Sequence, residues 1–175
     1  CKNAPAAAVE HPARLHPDLI CPEGVLEAGS PPPAGREVWC HRLSGTSWVR
    51  HGPSISWHAN DQRKSFGEWI DDKQTGLWIS WHDNGVPQAH GEYLDGYKDG
   101  IWHGYQTSGD PESEGRFVQG KEHGPWQYWT EDLIRVEGTW VDGERDGVWA
   151  DYDAGGRLTS ERTYRRGRLI SHGAQ

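Results

Sequence analysis

The chain has 175 residues, a formal net charge of −8 and 34% hydrophobic residues, with 11 Trp, 23 Gly and no Met. Its length suits one domain of ordinary size. The acidic charge, without a basic patch to pair with phosphates, excludes nucleic acid as the expected partner. The low hydrophobic content alone would indicate disorder, but the Trp residues recur at fixed offsets, which indicates packing positions supplied once per structural unit.

The N-terminal region, residues 1–20, is rich in Ala and Pro and has no apolar periodicity, which predicts a tether. A chain that begins at Cys1 and runs into such a tether resembles a mature bacterial lipoprotein, whose signal peptide is removed before a lipid-bearing cysteine. The resemblance implies lipidation of Cys1. Because Lys2 and not Asp follows, it also implies the outer membrane of a Gram-negative envelope, on its periplasmic side or its surface. No apolar run is long enough to span a bilayer, so the lipid anchor would be the only membrane contact.

Residues 21–51 form an entry segment before the repeats. Cys21 and Cys40 enclose a loop rich in Pro and Gly. In the exported protein that the lipoprotein resemblance implies, they would form a disulfide, which restricts the unfolded chain by about 3 kcal/mol in the entropy model. Two free buried thiols are the alternative. Residues 36–41 alternate between polar and apolar and predict a strand, or else an extended loop held by the disulfide, and residues 46–50 predict a second short strand.

From residue 52 onwards the sequence repeats with a period of 23 or 24 residues. The leading glycines of the five units are Gly52, Gly76, Gly100, Gly124 and Gly147. A fixed period of this size indicates a repeat architecture. The second half of most units reads Gly-x-aromatic and ends in a turn such as Asp95-Gly96, in which glycine supplies a positive φ. Each unit therefore predicts strand, loop, strand and turn, and the frequent glycines argue against helices.

Aromatic residues fall at constant distances from the leading glycine. The inner row, two residues after it, consists of Trp78, Trp102, Trp126 and Trp149. The outer row, five residues after it, consists of Trp57, Trp81, Tyr105, Trp129 and Tyr152. Alternate residues of a strand point to opposite faces, so we expect the inner row to be packed and the outer row to be partly exposed.

A third aromatic row lies near the seventeenth position of each unit and includes Tyr93 and Phe117. If the loop centre lies midway between the two strands, this row meets the inner row across the hairpin. Trp78 would then contact Tyr93, and Trp102 would contact Phe117. The glycines of the second halves would leave room beside these rings.

The pattern Gly-x-Trp-x-x-Tyr/Trp, then Gly-x-aromatic, then Asp-Gly-x-x-x-Gly, resembles MORN-type repeats from about Trp39 onwards, and among them the bacterial YwqK-antitoxin-like variety. The resemblance implies an all-β fold over residues 52–175: a single-layer, elongated, twisted antiparallel sheet of consecutive β-hairpins. Such sheets serve scaffolding or binding and do not imply a reaction. Ser54 replaces the first inner-row Trp and Arg162 replaces the last second-half glycine, as expected of capping units.

No arrangement of residues predicts catalysis, a cofactor or a metal. Residues 115–121 match most of a phosphate-binding loop, but Glu122 stands where Ser or Thr would bind Mg²⁺. Equivalent histidines such as His58 and His82 would lie about 9.6 Å apart in neighbouring hairpins, too far to share a zinc ion. We therefore expect a non-enzyme without cofactors, in which most histidines are solvated turn residues.

Partly exposed aromatic rows are typical of recognition surfaces. The sequence therefore predicts a lipid-anchored, non-catalytic, protein-binding scaffold whose partner is another envelope protein and whose candidate binding face is the outer row. Two alternatives stay open. One is a carbohydrate-binding envelope module in which the outer-row rings stack on sugars. The other is an antitoxin-like inhibitor of a toxin or enzyme.

Overall fold

The computed structural model describes residues 15–130 and 135–174. Within these ranges the chain forms thirteen strands and no helix, so this part has no helical membrane span. The strands are β1 (Leu26–Ser30), β2 (Glu37–Ser44), β3 (Ser47–Trp57), β4 (Arg63–Ile70), β5 (Lys73–Trp81), β6 (Pro87–Leu94), β7 (Tyr97–Tyr105), β8 (Pro111–Val118), β9 (Lys121–Trp129), β10 (Arg135–Val141), β11 (Glu144–Tyr152), β12 (Leu158–Arg165) and β13 (Arg168–Ala174). Cys1 and most of the expected tether lie outside the described residues.

All thirteen strands belong to one antiparallel sheet in which each strand pairs with its neighbours in the sequence. The predicted all-β, single-layer sheet of hairpin repeats is thereby confirmed. Residues 36–41 correspond to β2, as expected. Of the second predicted strand, residues 47–50 are extended as expected and form the start of β3, which continues into the first repeat, while residue 46 belongs to the preceding turn. β1 is an additional strand that the sequence reasoning did not predict.

Two-residue turns join the strands at one end of the sheet. Asp95 and Gly96 have φ values of 52° and 86°, as a type I′ turn requires. The weaker turn signal Asp71-Asp72 adopts the same signs of φ, at 49° and 64°. The N–H of Gly96 donates to the carbonyl of Gln74 at 2.9 Å, and the N–H groups of Asp72, Gly120, Gly143 and Gly167 make equivalent bonds. Each of these turns is therefore hydrogen-bonded to the preceding hairpin, so the backbone pairing between units continues past the ends of the strands.

Longer loops join the strands at the other end, and two histidines connect them. Nε2 of His58 lies 2.8 Å from the carbonyl oxygen of Trp81, and Nε2 of His82 lies 2.8 Å from that of Tyr105. An asparagine two residues later in each loop donates to the next loop in the same way. These histidines were expected to be solvated turn residues. They are instead half-buried donors that join one unit to the next.

One face of the sheet, the tryptophan face, carries the inner row. Trp78, Trp102, Trp126 and Trp149 are only 8%, 7%, 5% and 0% exposed. Each indole lies on the second-half glycine of the preceding unit: a Cβ on Gly115 would stand 2.0 Å from Cδ2 of Trp126. The room that the sequence reasoning expected beside these glycines is present, and the ring of the next unit fills it.

Edge-to-face contacts join the inner row to the third aromatic row. Trp78 and Tyr93 have ring centroids 5.7 Å apart, and Trp102 and Phe117 have centroids 6.2 Å apart, which confirms both predicted pairs. Tyr93 also contacts Trp102 at 5.2 Å, so the ladder passes from one unit to the next. Pairs of this kind contribute about 0.5–1.5 kcal/mol each beyond the area they bury. In this single-layer sheet the aromatic ladder supplies buried apolar contacts that a second layer would supply in a sandwich fold.

The opposite face, the outer face, is covered at its first end. Residues 15–25 lie against β2–β4 and form a small hydrophobic core there. Leu19, Val38 and Ile55 are fully buried in it, and Trp57 is 8% exposed. Leu19 belongs to the stretch that the sequence analysis assigned to a tether. Trp57 is not part of the exposed portion of the outer row, because this segment covers it.

Two links hold this N-terminal segment on the sheet. The structure contains the Cys21–Cys40 disulfide that the exported context led us to expect, with the two Cα atoms 5.5 Å apart. At the rim of the core, the carboxylate of Asp18 pairs with the guanidinium of Arg63 on β4. The segment therefore covers the outer face over three strands, from β2 to β4.

Candidate functional site

The candidate site is the open part of the outer face, from β5 to β12. Four members of the outer row lie on it: Trp81, Tyr105, Trp129 and Tyr152. All four are half-buried, one per hairpin, whereas the inner row is buried on the other face. The structure therefore brings together four of the five residues that the sequence proposed as a binding face and separates them from Trp57.

Exposed aliphatic side chains accompany these rings. Leu77, Ile101 and Val148 are 54%, 52% and 53% exposed, and each directly precedes an inner-row Trp, which places it on the outer face. Leu94, 59% exposed, follows Tyr93 of the tryptophan face and therefore also lies on the outer face. Glu92 and Arg116 are the cross-strand partners of Leu77 and Ile101, so exposed aliphatic side chains alternate with charged ones across the face. Exposed apolar groups interspersed with charges are typical of protein interfaces.

A stack of rings occupies the middle of the open face. His90 and His103 are cross-strand partners with ring centroids 4.8 Å apart, and His90 also stacks on Tyr105 at 5.7 Å. Nδ1 of His103 lies 3.4 Å from Oε2 of Glu114 on the next strand. Burial lowers the pKa of His90, and the neighbouring His103 lowers it further. Sequence reasoning missed this group because it compared histidines at equal offsets, and these two differ in offset.

A shallow hollow of about 350 Å³ lies on the outer face over β9–β12. Its floor is Ala150, which is paired in register with Glu137 on one side and Glu161 on the other. Val148 and Tyr152 are among the residues that form its walls. Sequence reasoning did not detect this hollow, because its members come from four strands and meet only through the register.

Tyr152 and Arg135 organise one side of the hollow. The hydroxyl of Tyr152 donates to Oε1 of Glu137 at 2.7 Å, and this hydrogen bond raises the pKa of Tyr152. The guanidinium of Arg135 lies 4.4 Å from the centroid of the same ring, and its Nε lies 3.5 Å from Oε2 of Glu137. The carboxylate of Glu137 is thus held in place from both oxygens.

The tryptophan face is less open to a partner than the outer face. Nζ of Lys98 lies 4.0 Å from the ring centroid of Trp102, and the guanidinium of Arg145 lies 4.3 Å from that of Trp149. Burial lowers the pKa of Lys98, while Glu122 acts in the opposite direction. These cations cover rings that neighbouring aromatics already enclose. The half-exposed rings and exposed aliphatics that a partner would bury lie on the outer face.

The described residues contain no group of three or more His, Cys, Asp or Glu side chains placed to hold a metal ion. No family model matches the chain, and no curated protein is significantly similar to it. The resemblance to MORN-type repeats therefore stays a prediction from the sequence pattern.

Proposed function

We propose that this chain is a non-catalytic repeat protein, similar to MORN-type scaffolds, that binds another protein through the open part of its outer face. One contrast carries the proposal. Over β2–β4 the chain's own residues 15–25 cover the outer face and bury Leu19 and Ile55 completely. Over β5–β12 the equivalent strands leave Trp81, Trp129 and their aliphatic neighbours open.

The covered end indicates what kind of partner this face accepts. Residues 15–25 contain no strand, and they place one leucine, Leu19, among side chains of the sheet. A charged pair, Asp18 with Arg63, lies at the rim of that contact. An irregular polypeptide segment with an aliphatic anchor and a polar rim therefore fits this surface, which is the usual anatomy of protein interfaces. We expect the partner to present a segment of the same kind to β5–β12.

The proposal includes the cell envelope as the place of action. A lipid on Cys1, which precedes the described residues, would hold the sheet at the outer membrane of a Gram-negative bacterium. The Cys21–Cys40 disulfide supports this address, since disulfides persist in oxidising compartments such as the periplasm. The partner would then be another envelope protein.

Photo-cross-linking in cells tests the proposal. We would place a benzophenone amino acid at Ile101, on the open face, and at Thr107, an exposed loop position, as the matched control. The proposal expects one dominant protein linked from Ile101 and absent from Thr107. That protein should be lost when Trp81 and Trp129 are changed to Ala in a variant that still melts cooperatively. No reproducible protein from Ile101, or the same set from Thr107, would overturn it.

Carbohydrate binding is the second candidate, because half-exposed rings recur once per hairpin on a flat face. Flat aromatic faces at Trp81, Tyr105 and Trp129 would stack on sugars of an extended envelope polysaccharide. Quenching of Trp fluorescence by a glycan fragment, lost in Trp81→Ala, would favour this function. An antitoxin-like inhibitor would use the protein-binding face instead, and a toxin or enzyme as the cross-linked protein would identify that case.

A further inference from the structure

The hollow over Ala150 lies where one row of the outer face ends in a small side chain. Three residues after the leading glycine, the units carry Ile55, Ile79, His103, Gln127 and Ala150 in turn. Ala150 has the smallest side chain of this row and is 7% exposed. The space that an isoleucine fills in the first two units is open here, and it contributes to the hollow of about 350 Å³.

Two carboxylates stand on opposite sides of this space. Glu137 and Glu161 are the cross-strand partners of Ala150, so their backbones lie two strand spacings, about 9.6 Å, apart. Glu137 is compensated by the Tyr152 hydroxyl and by Arg135. Glu161 is exposed, and within the described part of the chain no ion pair or hydrogen bond engages its carboxylate. Counted over the described residues, the hollow therefore carries one uncompensated negative charge.

Besides the two carboxylates, the walls of the hollow include apolar groups together with the polar residues Gln127 and Thr139. Val148, Pro125 and the ring of Tyr152 line it. This combination suits a cationic head on an aliphatic stem, because such a side chain lays its methylene groups on apolar surface and keeps its charge beside carboxylates or water. A bare metal ion would find too few oxygen ligands here, and a neutral sugar would leave the charge of Glu161 without a partner.

We propose that this hollow binds a lysine or arginine side chain of the partner polypeptide, with its ammonium or guanidinium group between Glu137 and Glu161 and its methylene stem against Val148. The inference rests on the proposed function and deepens it, because it names a basic residue as an anchor of the partner. It also gives the partner a direction on the sheet: the basic anchor lies at β10–β12, towards the end opposite the N-terminal segment.

Titration of the full chain with small probes tests the hollow without the partner. The probes are N-acetyl-lysine methylamide, N-acetyl-arginine methylamide and, as a neutral comparator of similar shape, N-acetyl-norleucine methylamide, followed by NMR shifts of the backbone amides around Ala150. Binding of a basic probe should be saturable and at least fivefold tighter than binding of the neutral one. Equal binding of the neutral probe, or no saturable shift with any probe, would overturn the inference.

Variants separate the charge from the shape of the hollow. Glu161→Gln should weaken binding of the basic probe at least fivefold. Glu114→Gln, the same change on the same face outside the hollow, should leave binding of the probe unchanged. Ala150→Ile restores the side chain that the first two units carry at this position and should weaken binding of the probe more than tenfold. Unchanged indole N–H signals would show that the sheet is intact. Equal effects of Glu161→Gln and Glu114→Gln would sink the inference even if Ala150→Ile failed to fold.

Partner capture distinguishes failure of this inference from failure of the proposed function. If Glu161→Gln and Ala150→Ile still cross-link the same protein from Ile101 in undiminished yield, the hollow is not an anchor site while the scaffold function stands. If no protein is captured but the basic probes bind as expected, the scaffold function fails. The hollow would then remain a site for a free alkylamine such as a polyamine.

Discussion

Gly115→Ala is the substitution that best tests the packing of the tryptophan face. The backbone of Gly115 does not have the positive φ that favours glycine, so alanine is acceptable there by conformation alone. In a strand, the change should even stabilise by about 0.4–1 kcal/mol through the unfolded chain. The indole of Trp126, however, lies where the new Cβ would be, with Cδ2 at 2.0 Å.

The cost follows from moving this ring. Non-bonded carbons pack at about 3.5–4 Å, so the indole has to shift by about 1.5 Å. The shift breaks the 3.1 Å hydrogen bond from Nε1 of Trp126 to the carbonyl of Arg116, a loss of about 1 kcal/mol. It also disturbs the edge-to-face contact with Phe117 at 5.0 Å, worth about another 1 kcal/mol. Overpacking adds a strain of about 1–3 kcal/mol. After the gain of about 0.4–1 kcal/mol from the unfolded chain is subtracted, we expect the free energy of unfolding to fall by about 3 kcal/mol.

Urea unfolding followed by Trp fluorescence and circular dichroism measures this loss. Gly104→Ala is the matched control, since Gly104 is also buried in a strand but the one close approach of its new Cβ would be to the rotatable hydroxyl of Ser113 at 2.5 Å, its other neighbours lying at 3.7 Å. We expect a loss below about 1 kcal/mol for the control, because that hydroxyl can turn away. In a Trp126→Leu background the additional cost of Gly115→Ala should fall, as a double-mutant cycle requires for groups in contact. Equal losses for Gly115→Ala and Gly104→Ala would refute the packing argument.

Two further predictions concern alkaline pH and the disulfide. Burial raises the pKa of Tyr128 to about 12, so the folded protein keeps a proton that the unfolded chain loses from about pH 10. Stability should therefore fall as pH rises through this window, and Tyr128→Phe should flatten the fall in urea titrations; an unchanged profile would contradict it. Replacing Cys21 and Cys40 by Ser should lower the free energy of unfolding by about 3 kcal/mol and expose residues 15–25 to protease. An unchanged cleavage pattern would show that the disulfide does not hold this segment on the sheet.

Periodicity in the sequence predicted the strands, the turns and the cross-hairpin rings for a simple reason. Each depends on neighbours within one unit, and the unit is repeated. Trp78 finds Tyr93 because both belong to the same hairpin, whose loop length sets their separation. The turn at Asp95-Gly96 is equally local, since its two residues alone determine the signs of φ.

Contacts between units were harder to predict, because the register shifts at each leading glycine. Between β8 and β9 the pairing shifts between Gly115 and Arg116, so the cross-strand partner of a residue in the next unit cannot be found by counting offsets alone. The pair of His90 with His103 and the place of Ala150 between two glutamates both depend on this register. Leu19 was missed for another reason: a single buried leucine in a Pro-rich segment has no periodicity to detect.

The two faces of the sheet divide stability and recognition between them. On the tryptophan face the inner row keeps the same residue in every unit from the second to the fifth, because each indole has to fit a glycine and cap a carbonyl at the shift in register. On the outer face the row of Ile79, His103 and Ala150 changes in size and polarity from one unit to the next, without interrupting the strands. A face that is not needed to hold the sheet together is free to differ along its length. Such a graded surface can distinguish the two directions of an extended partner, whereas a row of identical units could not.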